Sequence, residues 1–331
     1  MDAEVYIRSC TLYAPGPRRI IVRGRLTPEH LLHIPAENTS ELYMTFAAER
    51  LMPEHVSITP LRKRRGGWSD LWDNLQDRLF DLAARSVLPA VEFLSPQRLP
   101  GFVWETALRR YRPYDIRHAH APSPVLYYAV QVHEPYWVLH YWFFYAFNDW
   151  ASGHGGHNDH EGDWESIHLF LEPQEPHRVE WLAYAAHGLA DKEHVHSGDV
   201  EWFGPHPIVY VGTGTHASYF RPGVYRWKDW ATGEGGVAVG PPGSQLYNWP
   251  RIPQHQRPRL YRTWRLVPLD EMAWAWHYRG FWGTHYKYRW LSALFPVLQG
   301  INGPGGPIWQ AGRDRLRPQW EDPVRWARLP R

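Results

Sequence analysis

The stretch that decides the fold runs from Val125 to Leu171 and reads VLYYAVQVHEPYWVLHYWFFYAFNDWASGHGGHNDHEGDWESIHLFL. Runs rich in Val, Ile, Tyr, Phe and Trp alternate in it with turn residues, a pattern typical of β-strands. Here and just downstream the sequence predicts five strands: Val125–Val132, Trp137–Phe147, Trp164–Leu171, Val179–Ala186 and Ile208–Tyr219. Since no helical pattern separates them, we predict a mainly β protein whose core is an antiparallel β-sandwich.

Outside this core the chain divides into three parts. Residues 1–115 are expected to be mixed and mostly helical, with a helix at Trp68–Leu88, where apolar residues recur with a period of 3.6. Residues 116–295 hold the sandwich and become irregular and rich in Gly, Pro and Trp after Tyr219. Residues 296–331 form a basic tail that we expect to wrap around the core.

The composition excludes several classes of protein. The chain has 331 residues, 44% of them apolar, a net charge of +2 and one cysteine, Cys10. These values are typical of a globular protein and exclude a disulfide framework and a cysteine zinc site. The near-zero charge argues against a specific nucleic-acid partner. No continuous apolar stretch is long enough for a membrane span, and no secretory signal is recognisable, so we expect a soluble, cytoplasmic protein.

The charge balance conceals an uneven distribution. No Lys or Arg occurs in the 60 residues from His118 to His177, which contain eight Asp and Glu, whereas residues 251–331 contain 14 Lys and Arg against 5 Asp and Glu. Fourteen of the 20 His lie between His118 and His216. The repulsion between crowded carboxylates that lack counter-ions is commonly relieved by a divalent cation, although a solvated acidic loop has the same composition.

The loop between the second and third predicted strands concentrates this chemistry. If Asp163 and Glu165 both lie on the following strand, its period of two places them on one face, and His160 in the preceding turn can close over that face. Glu165 would then share its face with Ile167, Leu169 and Leu171, where a carboxylate needs a partner. Oxygen and imidazole ligands suit Mg²⁺, Ca²⁺ or Mn²⁺, with Zn²⁺ as the softer alternative.

Two resemblances rest on this segment. The run Gly162-Asp163-Trp164-Glu165, with His187-Gly188 and Thr215-His216-Ala217-Ser218-Tyr219 downstream, resembles a vacuolar protein sorting-associated family that carries a GDWE motif. More distantly, the loop is similar to the necrosis- and ethylene-inducing-like cytolysins, whose signature is GHRHDWE. His160, Asp163, Trp164 and Glu165 match that signature, whereas Asp159, Glu161 and Gly162 depart from it.

The cytolysin resemblance implies a β-sandwich that holds a divalent metal and binds a sugar-bearing sphingolipid head group. Its metal ligands would be Asp149, His160, Asp163 and Glu165, with Asp149 as the counterpart of an upstream aspartate. Those cytolysins are secreted and disulfide-bonded, and this chain has a single cysteine. The resemblance therefore implies the fold and the site rather than toxin activity.

Three functions remain open on the sequence. The first is a metal-dependent enzyme in which His187 or His216 acts as general acid or base. The second is a binding module for a small-molecule, lipid or glycan head group, without chemistry and with peripheral membrane contact left open. The third is a purely structural metal site. In the first two, the expected ligand contacts are Trp150, Trp164 and Tyr219. The oligomeric state is not predicted.

Overall fold

A computed structural model describes the chain in separate ranges: residues 2–14, 18–21, 25–45, 125–148, 160–175, 178–186, 189–212, 215–229, 233–239, 247–248, 252–253, 264–283 and 303–330. The predicted helix at Trp68–Leu88 lies outside them, as do three predicted site residues: Asp149, Trp150 and His187.

The centre of the fold is a six-stranded sheet of mainly antiparallel strands. Its members in chain order are β4 (Val125–His133), β5 (Tyr136–Asn148), β6 (His160–Leu171), β7 (Val179–Ala186), β8 (Leu189–His194) and β17 (Arg265–Pro268). The spatial order is β17-β4-β5-β6-β7-β8, and only the β17–β4 pair is parallel. A short turn at residues 134–135 joins β4 to β5, and only two residues separate β7 from β8, as antiparallel neighbours allow. The prediction of a mainly β fold is confirmed.

The remaining strands form small sheets around this one. The structure has β1 (Thr11–Ala14), β2 (Arg18–Ile21), β3 (Tyr43–Thr45), β9 (Trp202–Phe203), β10 (His206–Pro207), β11 (Tyr210–Val211), β12 (Ser218–Tyr219), β13 (Gly223–Asp229), β14 (Gly233–Val239), β15 (Tyr247–Asn248), β16 (Ile252–Pro253) and β18 (Phe281–Trp282). A four-stranded sheet has the order β18-β3-β1-β2, and the others pair as two-stranded hairpins.

The helices are short. They are α1 (Ala3–Ser9), α2 (Pro28–Leu32), α3 (Ala36–Thr39), α4 (Ala273–His277), α5 (Pro318–Glu321) and α6 (Pro323–Trp326). In its described part the N-terminal segment contains α1, α2 and α3 together with β1, β2 and β3, and the expectation of a mostly helical segment over residues 1–115 stays a prediction. None of the helices in the described ranges is long and apolar enough to cross a membrane.

The predicted strand Ile208–Tyr219 is wrong. The segment instead forms two short antiparallel strands, with Tyr210 opposite Tyr219 and Val211 opposite Ser218. The chain reverses between them, and the backbone N–H groups of Gly212 and His216 bond to the Ala217 and Gly212 carbonyls. Alternating β-branched and aromatic residues hide this reversal, because its signal is carried by only two glycines.

The two faces of the central sheet bury different clusters. The face of the even-numbered β5 residues packs against α1, α4 and residues 303–330, and it includes Trp142, Phe144 and Trp164. The opposite face carries Phe143, Ile167 and Leu169, which pack with Val200 and Phe220. The predicted site lies at one end of this second face.

Candidate functional site

Asp163 and Glu165 lie on β6, where register fixes their neighbours. Asp163 is opposite Tyr145 and Glu165 is opposite Phe143 on β5. Strand alternation from Asp163 to Leu171 places both carboxylates on the face of Ile167, as the sequence predicts. Asp163 is buried and Glu165 is half-buried.

Gly162 changes the alternation at the start of the same strand. Its φ is +70°, a left-handed value that L-residues rarely adopt, and a Cβ there would clash with the carbonyl oxygen of Trp282. On the face of the sheet that carries Asp163, His160 Nε2 lies 3.6 Å from Asp163 Oδ1. Glu161 instead accepts a hydrogen bond of 3.3 Å from the Tyr6 hydroxyl, in the core of the other face. His160 therefore closes over Asp163 from the first residue of β6, and not from a preceding turn.

His216 reaches the same carboxylate from a separate hairpin. It lies between β11 and β12 with a left-handed φ of +60°. Its Nδ1 is 3.0 Å from Asp163 Oδ2, and its ring stacks on Tyr145 with centroids 4.0 Å apart and planes 3° apart. Since a carboxylate oxygen only accepts, Nδ1 carries the hydrogen of this bond, which leaves Nε2 as the free ring nitrogen of the neutral form.

Asn148 links the two segments. Its Nδ2 donates to Asp163 Oδ2 at 3.1 Å and to the Thr215 carbonyl at 3.2 Å. Because both partners are acceptors, the amide orientation is fixed, and the buried Oδ1 has no hydrogen-bond partner among the described residues. The side chain therefore connects the end of β5 to the loop that carries His216.

The two carboxylates have opposite electrostatic environments. Burial alone would raise the pKa of Asp163, but the close approach and charge of His160 and His216 hold that pKa well below its ordinary value. Burial and the Asp163 charge raise the pKa of Glu165 well above its ordinary value, and Arg317 opposes this rise only in part. The site thus contains a carboxylate whose surroundings favour the ionised form beside one whose surroundings favour the protonated form.

The predicted ligand contacts separate into different parts of the fold. The Trp164 side chain is only 3% exposed and packs against Phe144 and Trp282 on the face opposite Asp163. It therefore contributes to the core rather than to the surface near the carboxylates. Tyr219 is also buried and stacks on Tyr225. Burial and the nearby Glu165 charge raise its pKa, so Tyr219 lies on the carboxylate side of the sheet.

The structure brings together three of the predicted residues, namely His160, Asp163 and His216, with Glu165 adjacent. Within the described ranges, no group of three or more His, Cys, Asp or Glu side chains is arranged to hold a metal ion. The roles of Asp149 and His187 stay predictions, since neither residue is described.

Three contributors to the site were not predicted from the sequence. Asn148 precedes Asp149 in the quoted stretch, but an amide carries no metal or charge pattern that singles it out. Tyr145 falls in an aromatic run whose members look alike. Arg317 lies 152 positions after Glu165 (317 − 165), and only the folded chain brings its charge near that carboxylate.

Comparison with known proteins gives structural likeness only. No protein-family model and no curated protein matches the chain. Two of the similar solved structures are NLPPya in complex with glucosamine and NLPPya in complex with mannosamine. They are 15% and 19% identical, with TM-scores of 0.24 and 0.23, and each match covers 29% of this chain and 43% of the other.

A third similar structure is Necrosis and Ethylene inducing Protein 2 from the causal agent of cocoa's Witches Broom disease. It is 13% identical with a TM-score of 0.23, and the match covers 45% of this chain and 52% of that one. The chain thus spans about half or less of these relatives. These proteins bear the name of the necrosis- and ethylene-inducing-like resemblance, but a likeness with such low TM-scores carries no argument about this chain, and no family model supports the vacuolar protein sorting resemblance.

Proposed function

We propose that the Asp163 centre binds a hydroxyl-rich polar head group, such as that of a sugar. The observation that carries this proposal is the unequal use of the two Asp163 oxygens. Oδ2 accepts from both Asn148 and His216, whereas Oδ1 has His160 Nε2 at 3.6 Å, beyond the length of a normal hydrogen bond. An ionised, rigidly held carboxylate with an oxygen available for one more donor suits a hydroxyl group.

The neighbouring side chains support recognition of more than one hydroxyl. The side chains of His160 and His216 are 14% and 18% exposed, so imidazole edges lie at the surface beside the buried carboxylate. A neutral imidazole offers one donor and one acceptor, and the protonated form of Glu165 offers a hydroxyl donor. Groups that can donate to a hydroxyl and groups that can accept from one therefore both lie near Asp163, as recognition of a sugar requires.

We further propose that a divalent cation takes part in this binding. Asp163, His160 and Glu165 would hold it, with Asp149 as a further predicted ligand, and the cation would supply a positive charge for hydroxyl or phosphate oxygens. The chemistry of these side chains, two carboxylates and an imidazole, suits a hard cation, but within the described ranges they are not gathered around one point, so binding requires them to move together or Asp149 to complete the set.

The proposal is tested by calorimetric titration of the protein with glucosamine and mannosamine, with and without Ca²⁺, Mg²⁺, Mn²⁺ or Zn²⁺. Asp163→Asn removes the charge, and the matched control Asp270→Asn changes an exposed aspartate away from the site. Loss of a charge-assisted hydrogen bond, ~1.5–3 kcal/mol, predicts an affinity about 10- to 100-fold weaker for Asp163→Asn and unchanged for Asp270→Asn.

The outcomes separate the alternatives. Binding of neither sugar, or equal binding by wild type and Asp163→Asn, would refute the head-group proposal. Sugar binding that is unchanged by EDTA would remove the cation from it. Conversion of the bound ligand into a product, lost in His216→Gln, would favour the metal-dependent enzyme over the binding module.

A further inference from the structure

A second histidine pair lies in the core on the other face of the sheet. His140 on β5 and His168 on β6 are directly opposite each other and fully buried. Their Nδ1 atoms are 2.9 Å apart, and His168 Nε2 lies 3.0 Å from Ser166 Oγ. The Nε2 atom of His140 is buried and has no hydrogen-bond partner in the part of the chain that the structure describes. The proposed head-group site uses none of these atoms.

The pair is covered by residues 318–329, which we call the C-terminal cover. Trp320 stacks on His140 with centroids 4.5 Å apart and planes 11° apart, and Trp326 meets the His168 ring edge-on at 4.9 Å. The cover is also anchored by apolar contacts, in which Val324, Ala327 and Leu329 cluster with Val138, Phe170 and Ala183. Both histidines are therefore sealed from water by the cover itself.

This arrangement disfavours charged rings. Two Nδ1 atoms at 2.9 Å share one hydrogen, so a pair that takes up one proton carries hydrogen on both Nε2 atoms, and the buried Nε2–H of His140 then has no acceptor among the described residues. A second added proton would point two Nδ1–H donors at each other. Within the described ranges, neither ring has a carboxylate partner that would stabilise a positive charge. The nearby groups that can be positively charged disfavour a charged imidazole in the pair. Arg317 lies over the Trp142 ring at 5.4 Å, and His133 on β4 lowers the pKa of His140. The Asp322 carboxylate, within the cover, stabilises a positive charge on His133, against the effect of burial.

We propose that the His140–His168 pair makes docking of the C-terminal cover acid-sensitive, so that proton uptake by the pair releases residues 318–329 from the sheet while the strands stay folded. The released rings gain water, which can hydrate their charge, and they can rotate apart. The apolar strip beneath, at Tyr136, Val138 and Phe170, becomes exposed in the same step.

The sign and size of the effect follow from linkage. Burial lowers the pKa of His168 to about 3, and burial together with His168 and His133 lowers the pKa of His140 well below its ordinary value. The imidazole pKa values are lower in the docked state than in the released state. The pair therefore favours docking fully above pH ~6.5, and this contribution is lost as the pH falls towards the docked pKa. At pH ~5 the docking equilibrium should weaken about thirtyfold for one histidine and about a thousandfold for both.

Hydrogen exchange measured by mass spectrometry tests this between pH 7.5 and pH 5.0, with exchange times corrected for the intrinsic rate. We expect the protection of peptides from the cover to fall by about thirtyfold to a thousandfold, and that of β4 and β5 to stay high. Unchanged protection of the cover at pH 5.0 would overturn the proposal, and so would loss of protection in the cover and the strands together.

A matched pair of variants assigns the effect to the buried rings. The double variant His140→Gln with His168→Gln cannot titrate and should keep the same cover protection at both pH values. His196→Gln replaces an exposed histidine and should leave the wild-type pH dependence unchanged. If the double variant does not fold, the single variant His168→Gln serves instead. The logarithm of its change in cover protection between pH 7.5 and pH 5.0 is expected to be half that of wild type. A full wild-type pH dependence in either buried variant would refute the assignment.

Discussion

Replacing Asn148 by Ala removes the group that joins the end of β5 to the loop of His216. The lost bond to ionised Asp163 is worth ~1.5–3 kcal/mol and the lost bond to the Thr215 carbonyl ~1 kcal/mol. Removing the unpaired Oδ1 returns ~1 kcal/mol or more. We therefore expect the free energy of unfolding in urea to fall by about 1.5–3 kcal/mol at pH 7.5, with an unchanged slope against denaturant.

The variant Asn148→Asp sharpens this prediction. It replaces the donor by a carboxylate beside Asp163, so at pH 7.5 it should be less stable than Asn148→Ala. The difference should shrink at pH ~4, where the new carboxyl is partly protonated and can donate. Asn38→Ala, an exposed control, should change stability by less than ~0.5 kcal/mol. A loss below ~0.5 kcal/mol in Asn148→Ala, or equal stability of both Asn148 variants at pH 7.5, would refute the bridging role.

Three other perturbations give further checks. Gly162→Ala should lose more than ~2 kcal/mol in urea unfolding because of its left-handed φ and the clash with Trp282, whereas Gly198→Ala, with open space around it, should lose little. In EDTA, Glu165→Gln should be more stable than wild type at pH 8, and this advantage should disappear towards pH ~4, because a carboxyl with a raised folded pKa loses stability as pH rises. A cation at one hundred times its Kd should stabilise wild type by ~2.7 kcal/mol in thermal unfolding but not Asp163→Asn, and an equal shift in both would exclude Asp163 as a ligand.

The strands of the central sheet could be predicted from the sequence because each is a continuous run with clear turn residues at its ends. Four of the five predicted strands match β4, β5, β6 and β7 to within a few residues. The pairing of β17 with β4 could not be predicted, since a parallel pair between residues 125–128 and 265–268 leaves no local pattern. The same holds for the cover, whose packing depends on a face of the sheet formed far upstream.

Asp163 and Glu165 could be placed on one face because strand alternation is a strict rule with a period of two. The rule fails at Gly162, where the left-handed φ brings His160 over Asp163 and sends Glu161 towards Tyr6. Trp164 shows the limit of motif reasoning. It lies between the two carboxylates in sequence, yet alternation itself puts it on the opposite face, in the core.

The distance along the chain between the sheet and its cover has a consequence for biosynthesis. Strands β4 to β8 are complete at His194, but the side chains of His140, Trp142 and Phe170 are sealed only when residues 318–329 have left the ribosome. More than 120 residues (318 − 194) of translation separate these events. During that interval the emerging sheet presents an apolar face to solvent, a state prone to aggregation and a substrate for chaperones. Burial of this face therefore depends on the late docking of a short segment and not on the pairing of β4 to β8 alone.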